Sequence, residues 1–239
     1  MIALGVLIAL WWSQRRWRAR GGTADDISAI AIWAVPAGLI GSRLYHVATD
    51  WRSFQGNWQD TLAIWKGGLG IPGGLLVGVA VGVFVAHRRG LNVVEVLKAV
   101  IPTVPVAQAV GRWGNWFNQE LFGRPSSLPW ALEISPKNRP GDYVGYETFH
   151  PTFFYEGVWN LGLAVLLAKI MNLENFSNRS ILGIWIFGYG VGRLWVEALR
   201  IDRASLVFGV RVNIWVSLLA VLLGVFLVVF RKQEITSHD

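Results

Sequence analysis

The sequence contains no cysteine and little charge. The missing thiol excludes disulfides, thiolate metal sites and a cysteine nucleophile of the protein's own. Any thiol chemistry must use a thiol brought by a substrate. Charged residues make up 15% of the 239, against about 25% in soluble domains. Histidine is scarce too. His87 and His238 fall at one end of the apolar segments and His46 and His150 at the other, without the clustered spacing that zinc uses. No metal and no cofactor is expected. The alternation of apolar and polar residues in segments of about ten that a membrane β-barrel requires is absent as well. There is no internal repeat and no low-complexity segment.

What is present is apolar: 53% of the chain is hydrophobic and 14 residues are tryptophan. A bilayer-spanning helix needs about 20 mostly apolar residues. Seven segments stand out, at 1–13, 27–49, 68–87, 93–112, 151–171, 180–200 and 212–230. The expectation is an all-α integral membrane protein with about seven transmembrane helices, forming a single transmembrane domain over 1–239. The first segment is too short to span unaided, so either its span begins partway into the bilayer or the reading frame starts late. It is not a signal peptide, because "RRWRAR" follows the apolar stretch rather than preceding it.

The net charge of +7 does not point to nucleic acid, because Lys and Arg cluster beside the apolar segments as the positive-inside rule describes. Loop 14–22 holds four arginines, loop 86–92 reads "HRRG", loop 169–179 has Lys169 and Arg179, and the tail opens with Arg231 and Lys232. These alternate with loops around 50–67, 113–150 and 201–211. The first set belongs to the cytoplasm, which puts the N-terminus outside and the C-terminus inside. Arg203 and Arg211 make the 201–211 loop basic as well, but the number of spans keeps it outside. The 113–150 connection is the longest and is rich in turn formers. It predicts a small extracytoplasmic cap between spans four and five.

Charges within spans cost about 2.5–3.5 kcal/mol each at mid-helix, so they mark function or a compensating structure. Four clusters map to the outer ends of their spans. "GSRLYHVATDW" carries Arg43, Tyr45, His46 and Asp50. Arg43 fits snorkelling into head groups as well as binding. "KGGLGIPGGLLVGVAVG" repeats glycine at 70, 74, 78 and 82 on one helical face, which suits close helix packing. The density of Gly67, Gly68, Gly70, Gly73 and Gly74 around Pro72 also suits free backbone N–H groups that hold an anion. "GRWGNWFNQELFG" crowds Arg112, Asn115, Asn118, Gln119 and Glu120 into nine residues, with Arg112 and Asn115, and Asn115 and Asn118, neighbours at i,i+3. "GYGVGRLWVEALRIDR" spaces Arg193, Glu197 and Arg200 at i, i+4 and i+7. Glu197 can pair with both arginines, in a structural ladder or in a site. "HPTFFYEGVWN" adds His150, Tyr155 and Glu156. Arginine forks match phosphate oxygens, so an arginine-lined pocket at head-group depth points to an anionic phospholipid. The residues alone leave open whether that lipid reacts.

These motifs resemble those of the prolipoprotein diacylglyceryl transferase family. "GRWGNWFNQELFGRP" resembles its signature Gly-Arg-x-Gly-Asn-x-x-Asn-x-Glu-x-x-Gly, "HPTFFYE" its His-Pro-(Ser/Thr)-x-x-Tyr-Glu element, "GYGVGRLWVEALR" its late arginine motif and "GSRLYHV" its early one. The resemblance covers nearly the whole chain in order. It implies a bacterial inner-membrane enzyme with its site toward the outer leaflet. Its partners would be phosphatidylglycerol, as one membrane lipid among others, and the signal peptide of a preprolipoprotein. The diacylglyceryl group would pass to the thiol of the lipobox cysteine, forming a thioether and releasing glycerol 1-phosphate. Arg112 and Arg193 would clamp the phosphate, Asn115 and Glu120 would orient glycerol hydroxyls or the arginines, and Glu197 would position Arg193. Arg43, Tyr45, Gly73, Gly74, Asn118, His150, Tyr155, Glu156 and Arg200 would line the substrate site.

Two departures stand against this pattern. Pro72 stands where many members have a histidine before the Gly-Gly of span three. An Arg-x-Tyr element usual before the first span does not precede this apolar run. They motivate a competing reading, a non-catalytic phospholipid-binding relative. A small-solute transporter is a third reading, opposed by the lack of polarity at mid-membrane.

Overall fold

Thr23 opens the longest helix with a reciprocal cap. Its side chain accepts from the Asp26 backbone N–H, and its own N–H donates to Asp26 Oδ2 at 2.9 Å. In this computed structural model, residues 1–63, 68, 70–171, 177–202 and 204–230 are described. Gly67, Arg203, Arg231 and Lys232 lie outside the described residues. The chain forms two compact units, 10–100 and 1–9 with 101–239, which are taken separately below.

Helix α1 spans Ile2–Arg18. The sequence reading ended this segment at 13, but the helix carries on through the basic cluster. Arg15 and Arg16 lie over the rings of Trp11 and Trp12, a cation–π arrangement that keeps charge on a helix surface.

In the unit 10–100, α2 (Ala24–Thr49) packs along α3 (Ile71–Arg88). Gly70 caps α3 and Pro72 sits in its first turn, where the missing N–H costs nothing. The glycine face predicted on α3 meets α2 directly. A Cβ at Gly73 would strike the Gly41 carbonyl and Tyr45, and one at Gly74 would press on Gly38 and Ser42. The Gly70 N–H is already spent on the Ser42 carbonyl at 2.9 Å. The core of this unit is Trp17, Ile27, Ile30, Ala86, Val96 and Ala99.

Helix α4 (Val93–Val100) ends where the sequence reading expected a continuous span to 112. Pro102 has no N–H to give the Lys98 carbonyl, which instead accepts from Arg16 Nη2 at 3.4 Å. Helix α5 begins at Thr103 and runs to Asn118, six residues past the expected end at 112. Gln119, left-handed at φ 50°, stops it.

In the second unit, the chain after α5 folds over a small apolar centre of Phe122, Ile134 and Phe149. Strand β1 (Leu132–Glu133) pairs antiparallel with β2 (Thr148–Phe149), with Leu132 opposite Phe149. Two 3-10 turns, Pro136–Asn138 and Gly141–Tyr143, lie between them. Gln119 fastens this segment to the end of α5 by accepting from the Ser135 N–H and Asn138 Nδ2, both at 2.9 Å. Helices α6 (Thr152–Ile170) and α7 (Asn178–Leu199) follow. A two-strand hairpin, β3 (Leu206–Val207) and β4 (Val210–Arg211), leads into α8 (Val212–Val229).

The described chain is mostly helical. Among the described residues, four segments are long and apolar enough to cross a membrane: Ala24–Thr49, Val93–Asn118, Thr152–Ile170 and Val212–Val229. Leu219, Leu222 and Val229 of α8 are exposed, an apolar surface that demands lipid rather than water.

The α2–α3 contact generates a direct test. A valine side chain at Gly41 would overlap Val77 and the Gly73 carbonyl, so Gly41→Val is expected to cost about 1–3 kcal/mol. Gly162→Ala, whose Cβ meets nothing within 4 Å, is expected to keep or raise the melting temperature. Thermal unfolding in detergent checks both. Equal melting of Gly41→Val and wild type would remove the close approach.

Candidate active site

Three helices of the second unit converge through charge. Arg112 on α5 places Nη2 2.6 Å from Glu156 Oε1 on α6. Arg193 on α7 reaches the same oxygen with Nη1 at 3.6 Å and grips Glu197 Oε2 with Nη2 at 2.6 Å. Arg200 lies 3.7 Å from Glu197 Oε2 and forks onto both oxygens of Asp202 at 2.7 and 2.8 Å. Arg211 donates from Nε to Glu197 Oε1 at 2.6 Å, and its Nη2 lies 3.2 Å from Asp202 Oδ2. Asn213 adds a longer hydrogen bond to Glu197 Oε1 at 3.3 Å.

The local fold explains the convergence. The i, i+4 spacing on α7 sets Arg193 and Glu197 on one face, and Arg200, the C-cap residue, follows three residues after Glu197. The hairpin of β3 and β4 turns through Phe208 and Gly209, both at positive φ, and returns Arg211 to the end of α7. The α5 and α6 helices meet through Trp113, Trp116 and Phe153, whose rings lie 5.5 to 6.3 Å apart across the contact. That contact brings Arg112 level with Glu156. The Arg124 N–H donates to the Leu199 carbonyl and its Nη2 to the Ala198 carbonyl, both at 2.9 Å. Thr152 donates its hydroxyl to the Leu121 carbonyl. The signature segment is thereby tied to the ends of α6 and α7.

The Glu197 side chain has no exposed surface. A charge so buried is tolerated only when paired and hydrogen-bonded. Outside the helices, burial works to raise the Asp202 carboxyl. The Arg200 hydrogen bond and the charges of Arg200 and Arg211 outweigh it and hold Asp202 below the ordinary carboxylate value. Four arginines face three carboxylates in this network, Arg112, Arg193, Arg200 and Arg211 against Glu156, Glu197 and Asp202, so one positive charge is left over. Arg193 Nη1 is buried and makes no hydrogen bond. The arrangement can therefore attract an anion and offer it a donor.

The polar end of α5 forms a second cluster. Asn115 Nδ2 and Asn118 Nδ2 both donate to Glu120 Oε1, at 2.9 and 3.0 Å. Asn118, Glu120 and Asp202 line one cavity of about 300 Å³, so the two clusters border a shared space. A third group stacks beside them. His150 Nδ1 and the Tyr155 hydroxyl are 3.1 Å apart, and Trp130 Nε1 donates to that hydroxyl at 3.0 Å.

The residues singled out in the sequence divide between the two units. Arg112, Arg193, Glu197, Arg200 and Glu156 form one connected network, and Asn115, Asn118 and Glu120 form another. Arg43, Tyr45, Gly73 and Gly74 belong to the unit 10–100. There Arg43 is buried rather than snorkelling. It donates from Nε to the Thr61 carbonyl at 2.8 Å, from Nη1 to the Gly68 carbonyl at 3.0 Å and from Nη2 to the Asp60 carbonyl. Tyr45 covers Gly70 and Gly73. Glu156 is a direct partner of two arginines. Arg211 and Asn213 were missed as members because the hairpin that returns them leaves no periodicity, and Asp202 because it lies two residues past Arg200, beyond the end of α7. Charge balance held the available signal, since Glu197 alone cannot neutralise Arg193 and Arg200.

Comparison with known proteins adds an independent line. The family profile described as prolipoprotein diacylglyceryl transferase matches residues 1–230. The phosphatidylglycerol–prolipoprotein diacylglyceryl transferase of Streptomyces griseus is 43% identical over 248 residues, covering 100% of this chain and 75% of that protein. One from Streptomyces coelicolor, named as transferase 1, is 44% identical over 237 residues, covering 98% of this chain and 68% of that protein. The like-named protein of Bifidobacterium adolescentis is 42% identical over 252 residues, covering 97% of this chain and 74% of that protein.

Removing the carboxylate at the centre of the network is expected to be severe. Glu197→Gln keeps the volume but leaves Arg193, Arg200 and Arg211 without their shared anion, and is expected to cost about 3–5 kcal/mol. Glu120→Gln, which loses only amide partners, should cost far less. Chemical or thermal unfolding in detergent compares them, and similar losses would contradict the central position given to Glu197.

Proposed function

The chain belongs to the prolipoprotein diacylglyceryl transferase family, and from that premise we propose how its buried arginines act. The chain is a membrane transferase that moves the diacylglyceryl group of phosphatidylglycerol to a prolipoprotein. The acceptor is the thiol of the lipobox cysteine. Sulfur bonds to the glyceryl carbon that carries the phosphate, the carbon–oxygen bond breaks, and glycerol 1-phosphate leaves with the electron pair. The thiol proton ends on the departing phosphate or in water.

The observation that carries this reading is the surplus positive charge of the buried network, together with an Arg193 Nη1 that makes no hydrogen bond and reaches Glu156 only at 3.6 Å. Arg112 and Arg193 hold the lipid phosphate and stabilise the charge that grows on the leaving oxygen. Glu156 and Glu197 keep both guanidinium groups in place before lipid arrives, so little reorganisation accompanies the reaction. Asn115 and Asn118 sit one to two turns further along α5, Glu120 lies just past its end, and the three meet the head-group glycerol. His150, Tyr155 and Arg200 complete the lining of this site, and Arg43, Tyr45, Gly73 and Gly74 serve substrate binding from their own segment. A free thiol has a pKa near 8.5, and the positive field of the arginines favours its thiolate.

In the bilayer the chain makes seven passes as one domain, α4 and α5 together forming the fourth. The N-terminus lies outside and the C-terminus in the cytoplasm of a bacterial inner membrane. The segment 113–150 caps the outer face, which turns the site toward the outer leaflet. The alternating placement of basic loops supports this topology.

Purified protein is expected to transfer labelled diacylglyceryl from phosphatidylglycerol to a lipobox peptide. No transfer by folded, lipid-binding protein would sink the reading. Arg112→Lys is expected to lose about 100- to 1,000-fold in turnover, because a point charge does not replace a bidentate fork. Arg193→Ala should lose lipid binding as well as turnover. Wild-type turnover in Arg112→Lys would remove the clamp.

A further inference from the structure

Asn160 is 2% exposed, and its Nδ2 makes no hydrogen bond. Gln108 Oε1 is also buried and without a hydrogen-bond partner. A buried amide left unpaired costs about 1–3 kcal/mol, so two in one bundle need a reason.

Helix register puts them together. Between α5 and α6, Arg112 meets Glu156 and Trp113 meets Phe153, while a Cβ at Gly157 would lie over the Ala109 carbonyl. These pairings run antiparallel, and their continuation sets Gln108 opposite Asn160. Between α6 and α7, Glu156 meets Arg193, Tyr155 meets Trp195 and Trp159 donates to the Gly188 carbonyl. The same register sets Asn160 opposite Tyr189. Each member of this layer is four residues from a member of the charged layer: Gln108 from Arg112, Asn160 from Glu156 and Tyr189 from Arg193. The offset is one turn, about 6 Å at 1.5 Å per residue, and on all three helices it points away from the Asn115, Asn118 and Glu120 cluster.

Three polar layers therefore follow one another along the bundle. The outermost holds amides and a carboxylate, the next guanidinium groups, and the deepest neutral amides beside a tyrosine. A glycerophospholipid presents polar groups in the same order: a hydroxylated head group, a phosphate, then the acyl esters. An ester carbonyl accepts hydrogen bonds and donates none, and it carries no charge. A buried amide donor matches it and a guanidinium is not required.

We propose that Asn160, with Gln108 beside it, binds the acyl ester carbonyl of the lipid substrate, making this layer the subsite that selects ester-linked over ether-linked glycerolipid. The Asn160 Nδ2 donates to the carbonyl oxygen. The Gln108 carboxamide lies across from it and either accepts from Asn160 once the lipid has ordered that side chain or turns to add a second donor. This rests on the reading of the arginine layer as a phosphate site.

The test is competition by diacyl and dialkyl phosphatidylglycerol, matched in chain length, for labelled diacyl lipid on the full-length protein in nanodiscs. Transfer to a lipobox peptide is followed in parallel. Wild type is expected to bind the diester about tenfold more tightly than the diether, the loss of one buried hydrogen bond. Asn160→Leu should raise the Kd and KM for the diester by a similar factor, leave the diether near its wild-type value and leave kcat largely intact. Equal binding of both lipids by wild type would overturn the ester subsite whatever the turnover, and it needs no variant to fold. A diester preference without any transfer would uphold the subsite and overturn the transferase reading.

Discussion

Glu197, a carboxylate with no exposed side-chain surface, lies among the guanidinium groups of Arg193, Arg200 and Arg211. Much of the second unit follows from satisfying it. Such a charge is stable in an apolar bundle only if cations reach it from several directions. Two come from α7 and its C-cap, and the third from the hairpin ahead of α8. The need for that third partner explains a tight turn through Phe208 and Gly209 at a place where the sequence offers no apolar reason to turn. The network then extends through Arg193 to Glu156 and Arg112, tying α5 and α6 to the same centre.

The arginines are held by carboxylates before any substrate arrives, which has a mechanistic consequence. A phosphate clamp made of flexible arginines would pay side-chain entropy on each binding event. One fixed by Glu156 and Glu197 has already paid it in folding. On the proposed reading the surplus positive charge stays available, and the catalytic advantage comes from preorganised donors. The signature segment contributes amides and a carboxylate at the end of α5, where the helix terminates in a left-handed residue and the chain folds back over its own end.

Much of this was legible in the residues. The apolar segments marked the helices, and the i, i+4, i+7 spacing on α7 put Arg193, Glu197 and Arg200 on one face. The glycine repeat on α3 marked a close helix contact, which the α2 backbone fills. Pro102 interrupts the helix within the Val93–Asn118 segment that hydropathy joined, because apolarity says nothing about a missing N–H. Arg211 was not legible as a member of the network, since a hairpin rather than a helical period brings it there, and Asp202 joins from the loop just past α7. Arg43 fitted snorkelling as well as binding, but it is buried and donates to loop carbonyls. Such pairing depends on the path of the chain and leaves no spacing to find. Gln108 and Asn160 are single amides in apolar helices, and only the register of three helices gives them a common level.

The central claim is that the guanidinium groups of Arg112 and Arg193 hold the phosphate of phosphatidylglycerol. Phosphorus–nitrogen dipolar recoupling by solid-state NMR tests it most directly, with the arginine side chains labelled with nitrogen-15 and the protein in phosphatidylglycerol bilayers. The account predicts short phosphorus–nitrogen contacts that vanish in Arg193→Ala and weaken in Arg112→Lys. Contacts of equal strength in wild type and both variants would contradict it.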